Sequence, residues 1–177
     1  ARNALARALG VEPEPAVEAA VGADAPNAVA FEVAVAVLAH CRALIDAAAP
    51  ACVAAKPQLA FFERLGTAGR LVLELTCEHA RAAGLLVIAD AKRGDVPSTA
   101  LAYAQSLTGA TLTRWGAIPG LGVDAVTANP LLGRDALAPI VDDARAHGAG
   151  VFVLVRTSNP GAADVLVGHD LDRIVIR

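Results

Sequence analysis

The chain has 177 residues, which is enough for one domain with a sizeable core. Hydrophobic residues make up 55% of it, yet its most apolar region, Ala28 to Ala39, is interrupted by Glu32 and predicts no transmembrane helix. The net charge of -3, without a basic tract, argues against a nucleic-acid surface.

The cysteines and histidines show no ligand pattern. Cys41, Cys52 and Cys77 are odd in number and lack metal-site spacing, so we expect reduced, buried thiols in a cytoplasmic protein and no metal site. The four histidines are scattered along the chain. Because the chain begins at Ala1 in mid-pattern and contains no methionine, we expect it to be a fragment of a longer protein.

The first third of the chain predicts helices and one short strand. The run from Ala1 to Gly10 is helix-permissive, and a longer helical pattern extends from Ala28 to Ala48. The apolar run 51–55 then predicts a strand that ends in Lys56, because Pro57 cannot continue a strand ladder.

The segment from Leu59 to Gly84 is predicted to be mostly helix. Its apolar side includes Phe61 and Phe62, which we expect in the core. Gly66 and Gly69 are the positions at which this helix could divide.

The stretch from Leu85 to Thr99 combines a buried strand with a cluster of charge. Its apolar run, 85–89, predicts a strand buried on both faces, and four charged residues follow: Asp90, Lys92, Arg93 and Asp95. Residues two apart on a strand share a face, so Asp90 and Lys92 should touch. Gly94 lets the chain turn, and a helix begins at Pro97. The carboxyl end of a parallel strand is where α/β folds place their chemistry, so this cluster is the candidate site.

The remaining segments repeat the same order of strand, polar end and helix. The segment 108–123 is predicted to be irregular because it is rich in glycine. The other predicted elements are helices over 97–107 and 134–147, and strands over 124–130, 151–155 and 171–176.

Helical crossovers between buried strands predict a parallel α/β sheet. Polar residues at each carboxyl end are typical of a (β/α)₈ barrel of the TIM type, which needs about 250 residues and eight strands. Only four strands are convincing here, so we predict a single domain over residues 1–177 that forms a partial barrel.

Four motifs make the chain resemble the orotidine 5'-phosphate decarboxylase family, in the bacterial branch that includes actinobacterial enzymes. The first is D-x-K-x-x-D-[IV]-x-x-T, here Asp90 to Thr99. The others are K-P-Q-x-A-F-F-E from Lys56, D-A-V-T-x-x-P-x-L-G from Asp124, and the T-S-N-P turn that includes Ser158. The resemblance covers roughly 52–160. The family's first-strand aspartate motif and its phosphate-binding loop have no counterpart in this chain.

The resemblance implies decarboxylation of orotidine 5'-phosphate to UMP without a metal or an organic cofactor. It implies that Lys92 stabilises and protonates the carbanion at C6 of the pyrimidine, and that Asp90 orients Lys92. It implies that Lys56 holds Asp90 and the ribose. Asp95 would enter the site of a neighbouring subunit, so the resemblance implies a homodimer with shared sites.

The same resemblance assigns a second group of residues to substrate binding. Ser158 would read the pyrimidine, and Val96 and Thr99 would lie beside Asp95 in the shared site. Asn129 is assigned to this group because it lies at the polar end of the predicted strand 124–130.

Three alternatives remain open at this stage. A related D-x-K barrel synthase of sugar phosphates would add a magnesium site with extra acidic ligands, whereas the second predicted strand ends in Lys56. A Schiff-base aldolase needs a neutral lysine, whereas Asp90 and Asp95 favour the charged form of Lys92. The third alternative is an inactive partial barrel.

Overall fold

The computed structural model describes residues 26–162, which divide into two compact units that meet in the sequence between Leu86 and Val87. The helix predicted over 1–10 and the strand predicted over 171–176 lie outside the described residues. The single domain over 1–177 stays a prediction.

The first unit is built on two long helices, α1 (Pro26–Ala48) and α3 (Gly66–Ala82), which pack against each other. The predicted helix 28–48 is therefore confirmed. The side chains buried in this unit recur at helical spacing; they include Ala34, Leu38 and Ile45 of α1 and Val72, Leu73 and Cys77 of α3. A contact of 2.7 Å between Asp46 Oδ1 and His79 Nε2 also joins the two helices.

The apolar segment that includes most of helix α1 is longer than the sequence analysis allowed. Among the described residues, one segment, Glu32–Ala51, could cross a membrane by length and composition, with 20 residues and a mean hydropathy of 1.5. The expectation of no such segment, drawn from Ala28 to Ala39 alone, is therefore wrong, because the apolar segment continues through Arg42 and Asp46 to Ala51. A core helix of a soluble protein has the same length and composition, so this finding assigns no membrane location.

Between α1 and α3 lie a 3₁₀ turn (Ala49–Ala51), a two-residue strand β1 (Ala54–Ala55) and a short helix α2 (Leu59–Glu63). The side-chain oxygen of Gln58 caps α2 by accepting a hydrogen bond from the N–H of Ala60. The predicted helix 59–84 therefore divides at Gly66, whose φ of +63° is strained for other residues.

Two expectations about buried side chains fail in the first unit. Phe62 is buried, but Phe61 is 66% exposed, because neighbouring residues on a helix point in different directions. Cys77 is buried as predicted, whereas Cys41 is half-buried and Cys52 is exposed. Cys52 lies in the irregular segment between the 3₁₀ turn and β1, and the prediction from residue type did not take this into account.

The second unit contains a parallel sheet with two helices. Its elements in chain order are β2 (Leu86–Arg93), α4 (Pro97–Leu107), β3 (Ala110–Thr113), β4 (Gly116–Pro119), β5 (Ala125–Ala128), α5 (Arg134–Ala146) and β6 (Gly150–Val153). Strand β5 pairs in parallel with both β2 and β6, and α4 packs against α5. The predicted helices and the parallel pairing are confirmed, and the carboxyl ends of the three strands lie at one edge.

The prediction of an irregular segment over 108–123 is wrong, because it contains an antiparallel hairpin of β3 and β4. Of the glycines that suggested irregularity, Gly116 lies at the hairpin turn, with a φ of +131°. Thr113 Oγ1 accepts from the N–H of Trp115 and donates to the carbonyl of Gly116. The hairpin carries three exposed large apolar side chains, Leu112, Trp115 and Ile118.

Candidate active site

Strand β2 continues past its apolar run and carries the first charged residues of the cluster. In the ladder with β5, Ala89 pairs with Val126, and the next pair is Arg93 with Ala128. Three residues of β2 (90–92) therefore lie opposite a single residue of β5, Thr127. This irregularity is a β-bulge, a feature that redirects side chains and is frequent beside active sites.

Lys92 has a φ of +49°, the one positive φ at a residue other than glycine among residues 26–162. This left-handed conformation disfavours residues with a Cβ by about 1–2 kcal/mol. Lys92 Nζ donates a hydrogen bond to Asp90 Oδ1, so the predicted contact exists. It forms at a bulge, whereas the sequence argument assumed regular strand alternation.

The ion pair is buried at one end and accessible at the other. The side chain of Asp90 is 8% exposed, whereas that of Lys92 is 45% exposed. A carboxylate so deeply buried needs hydrogen-bond donors to offset its lost hydration. The buried carboxylate of Asp90 therefore holds the solvent-accessible side chain of Lys92 in place.

Thr127 supplies a further donor to this carboxylate. Its Oγ1 donates to Asp90 Oδ1 at 3.0 Å and accepts from the main-chain N–H of Lys92 at 2.8 Å. The sequence analysis gave Thr127 no role. The signal that could have found it is a single hydroxyl in the otherwise apolar strand β5, next to the strand that carries the charges.

Gly94 and Asp95 lead from β2 into α4. A Cβ at Gly94 would lie 2.3 Å from the carbonyl oxygen of Asn129, so close packing requires glycine here. The φ of Gly94 is not positive, so its backbone conformation does not require glycine. The close contact with Asn129, and not the predicted turn, explains why glycine stands here. Asp95 Oδ1 accepts a hydrogen bond from the N–H of Val96 at 2.7 Å.

The residues after Asp95 open helix α4 as predicted, with Pro97 in its first turn. Val96 is 50% exposed, and Thr99 is half-buried. The N–H of Thr99 donates a hydrogen bond to the carbonyl of Val96. The main chain that bears the Thr99 hydroxyl is therefore held in a hydrogen-bonded turn. The guanidinium of Arg93 lies 5.3 Å from the ring centroid of Tyr103 on α4, a cation–π contact.

Asn129 follows β5 at the same edge of the sheet. Its main-chain N–H donates to the carbonyl of Arg93 at 2.7 Å, and its Oδ1 accepts from the N–H of Leu131. Ser158 is exposed in the segment that follows β6. The structure therefore places Asp90, Lys92 and Asn129 at adjoining strand ends, and their roles stay predictions.

Lys56 belongs to the first unit, where it is exposed and directly follows β1. Gln58, two residues later, caps helix α2. Lys56 therefore lies between the end of a strand and the start of a helix, as predicted. Over residues 26–162, no group of three or more His, Cys, Asp or Glu side chains could hold a metal ion.

Residues 19–175 match the profile of the "Orotidine 5'-phosphate decarboxylase / HUMPS family". The orotidine 5'-phosphate decarboxylase of Rhodopirellula baltica is 47% identical over 132 residues, and that of Streptomyces coelicolor is 48% identical over 124 residues. These matches cover 73% and 70% of this chain but 42% of each relative, so the chain spans less than half the length of these curated relatives.

A solved structure gives the same result for the fold. The OMP decarboxylase of Leishmania donovani matches with a TM-score of 0.63 and 37% identity, over 75% of this chain and 47% of that one. Together with the parallel pairing of β2, β5 and β6, this match confirms the predicted fold class, a parallel (β/α) barrel of which this chain forms a part.

Proposed function

Since this chain belongs to the orotidine 5'-phosphate decarboxylase / HUMPS family, we propose that the protein converts orotidine 5'-phosphate to UMP and carbon dioxide. The observation that carries the proposal is the Asp90–Lys92 ion pair at the carboxyl end of β2. Its anchor is buried and its ammonium group is accessible, as a reaction at a bound pyrimidine requires.

The chemistry poses one main difficulty. When the bond between C6 and the carboxylate breaks, its electron pair stays on C6 and carbon dioxide leaves. A fixed positive charge beside C6 stabilises this carbanion more than it stabilises the substrate, and therefore lowers the barrier. Lys92 supplies that charge, and then transfers a proton from Nζ to C6 and recovers it from solvent.

Asp90 keeps the ammonium group in place during this step. With a side chain that is 8% exposed and bonded to both Lys92 and Thr127, it has little freedom to move. Pre-positioning of this kind contributes to catalysis because the group need not reorganise when the carbanion forms. Asp90 also faces the departing carboxylate in this proposal.

The remaining predicted residues complete the proposed site. Lys56 belongs to the catalytic group, Ser158 reads the pyrimidine, and Asn129 takes part in substrate binding. Asp95 lies on the loop before α4, with Val96 exposed beside it, and reaches the site of a second subunit of a homodimer. Thr99 accompanies it from the first turn of α4. We propose a cytoplasmic location, as expected for an enzyme of nucleotide synthesis.

The test is to identify the products. Orotidine 5'-phosphate is incubated with the purified chain, and UMP and carbon dioxide are quantified together. Equal amounts of the two products support the proposal. A folded chain that yields neither product supports the alternative of an inactive partial barrel, with which the coverage of the relatives is also compatible.

A further inference from the structure

The bulge in β2 creates a hydrogen-bonding problem that a side chain solves. Because residues 90–92 lie opposite the single residue Thr127, the ladder is interrupted at this point. The N–H of Lys92 donates to the side-chain Oγ1 of Thr127, where a regular parallel ladder would offer a main-chain carbonyl. The hydroxyl therefore serves as the acceptor at the interruption.

The same hydroxyl also contacts the catalytic carboxylate. A threonine hydroxyl has one proton to donate and lone pairs to accept with. Its proton goes to Asp90 Oδ1 and a lone pair receives the Lys92 N–H. A single oxygen atom thus connects the main chain of Lys92 to the carboxylate that its own ammonium group contacts.

We infer that Thr127 is a positioning residue of the proposed decarboxylase site. Its hydroxyl holds Lys92 in the left-handed conformation of the bulge and orients Asp90, and thereby fixes where the ammonium group lies. This inference rests on the proposed function for its catalytic consequence. The hydrogen bonds themselves are a property of the fold, which makes a separate structural test possible.

Two substitutions separate the hydroxyl from the shape of the side chain. Thr127→Val keeps the branched shape and removes both hydrogen bonds, whereas Thr127→Ser keeps the hydroxyl. Thr108→Val is the matched control, because Thr108 Oγ1 also donates to a carboxylate, Asp143 Oδ2 at 2.6 Å, between α4 and α5. A general loss of stability would affect both valine variants, whereas loss of positioning would affect Thr127→Val alone.

The kinetic measurement is kcat and KM for orotidine 5'-phosphate. For Thr127→Val we expect kcat to fall by about 10²-fold with KM within about threefold, because a misplaced ammonium group costs most in the transition state. Thr127→Ser should stay within about threefold of the unsubstituted chain, and so should Thr108→Val. A Thr127→Val variant with unchanged kcat, or a Thr127→Ser variant as impaired as Thr127→Val, would overturn the inference.

Amide hydrogen exchange tests the same inference without turnover. In Thr127→Val the N–H of Lys92 loses its acceptor, so its exchange rate should rise by about tenfold, whereas in Thr127→Ser it should stay close to that of the unsubstituted chain. If the unsubstituted chain lacks activity, the proposed function fails for this chain. The exchange rates alone then decide whether the Thr127 hydroxyl holds the main chain of Lys92. Equal exchange of the Lys92 amide in all three proteins would overturn the inference.

Discussion

Gly94 lies so close to the carbonyl oxygen of Asn129 that a Cβ atom at Gly94 would be 2.3 Å from it. The N–H of Asn129 also donates to the carbonyl of Arg93 at 2.7 Å, so the main chain cannot move away without breaking this hydrogen bond. The close approach therefore fixes the loop that leads from the ion pair to Asp95.

Gly94→Ala should lower the free energy of unfolding by about 1–3 kcal/mol, because a methyl group forced into a closely packed site displaces its neighbours. The measurement is urea denaturation. Gly150→Ala is the matched control, since a Cβ there would meet the side chain of Ala125 at an ordinary 3.6 Å. Equal stability of the two variants would show that the contact with Asn129 is not restrictive.

Asp90→Asn should reduce kcat by about 10²-fold or more, because the ammonium group of Lys92 loses the buried charge that orients it. Asp124→Asn is the matched control. Asp124 Oδ2 accepts a hydrogen bond from the N–H of Val87, and an asparagine can still accept it while the net charge changes equally. If both variants lose the same activity, the effect is one of charge or stability and not of position.

The proposed sharing of sites between subunits predicts complementation between two inactive variants. Lys92→Ala lacks the proton donor but retains Asp95, whereas Asp95→Asn retains Lys92 and Asp90. Mixed and allowed to exchange subunits, they should recover about a quarter of the unsubstituted activity, since half of the dimers are mixed and each has one complete site. A mixture that stays inactive although subunits exchange would place Asp95 outside the partner's site.

Burial raises the pKa of the Cys77 thiol from its ordinary 9.0 to about 11, and burial also raises that of Cys41. The thiolate is the reactive form, so Cys77 should be alkylated more slowly than the exposed Cys52 at about pH 8. Peptide mapping by mass spectrometry after timed treatment with iodoacetamide measures this order. Alkylation of Cys77 as fast as Cys52 would contradict its burial.

The same shift has a consequence for stability. Because the raised pKa disfavours the thiolate in the folded state, ionisation of Cys77 favours the unfolded chain. The contribution of Cys77 to folding should be fully present below pH 9 and should be lost as the pH rises through about 11. Urea denaturation of the chain and of Cys77→Ala as a function of pH would isolate this contribution, which should be absent from the variant.

Local patterns in the sequence predicted several of the elements and one contact of the candidate site. Pro97 marked the start of α4, and the spacing of Asp90 and Lys92 predicted their contact. The single hydroxyl of strand β5 pointed to Thr127, but its two hydrogen bonds were not predictable in this way. They depend on a positive φ at Lys92 and on an interrupted ladder, and neither is encoded by residue type in a strand pattern.

The other misses have a similar cause. Whether Phe61 or Phe62 faces the core depends on the orientation of a five-residue helix, which composition does not determine. The hairpin of β3 and β4 was hidden by its glycines, which indicate a turn and an irregular segment equally well. In both cases the outcome depends on packing in the folded chain and not on the local sequence.

The most direct test of the central claim follows the absorbance of orotidine 5'-phosphate after addition of the purified chain, with Lys92→Ala as the control. We expect a loss of substrate absorbance with the unsubstituted chain and none with Lys92→Ala, although both are folded by circular dichroism. Turnover by Lys92→Ala equal to that of the unsubstituted chain would contradict the role of Lys92, and a folded unsubstituted chain without turnover would contradict the proposed activity.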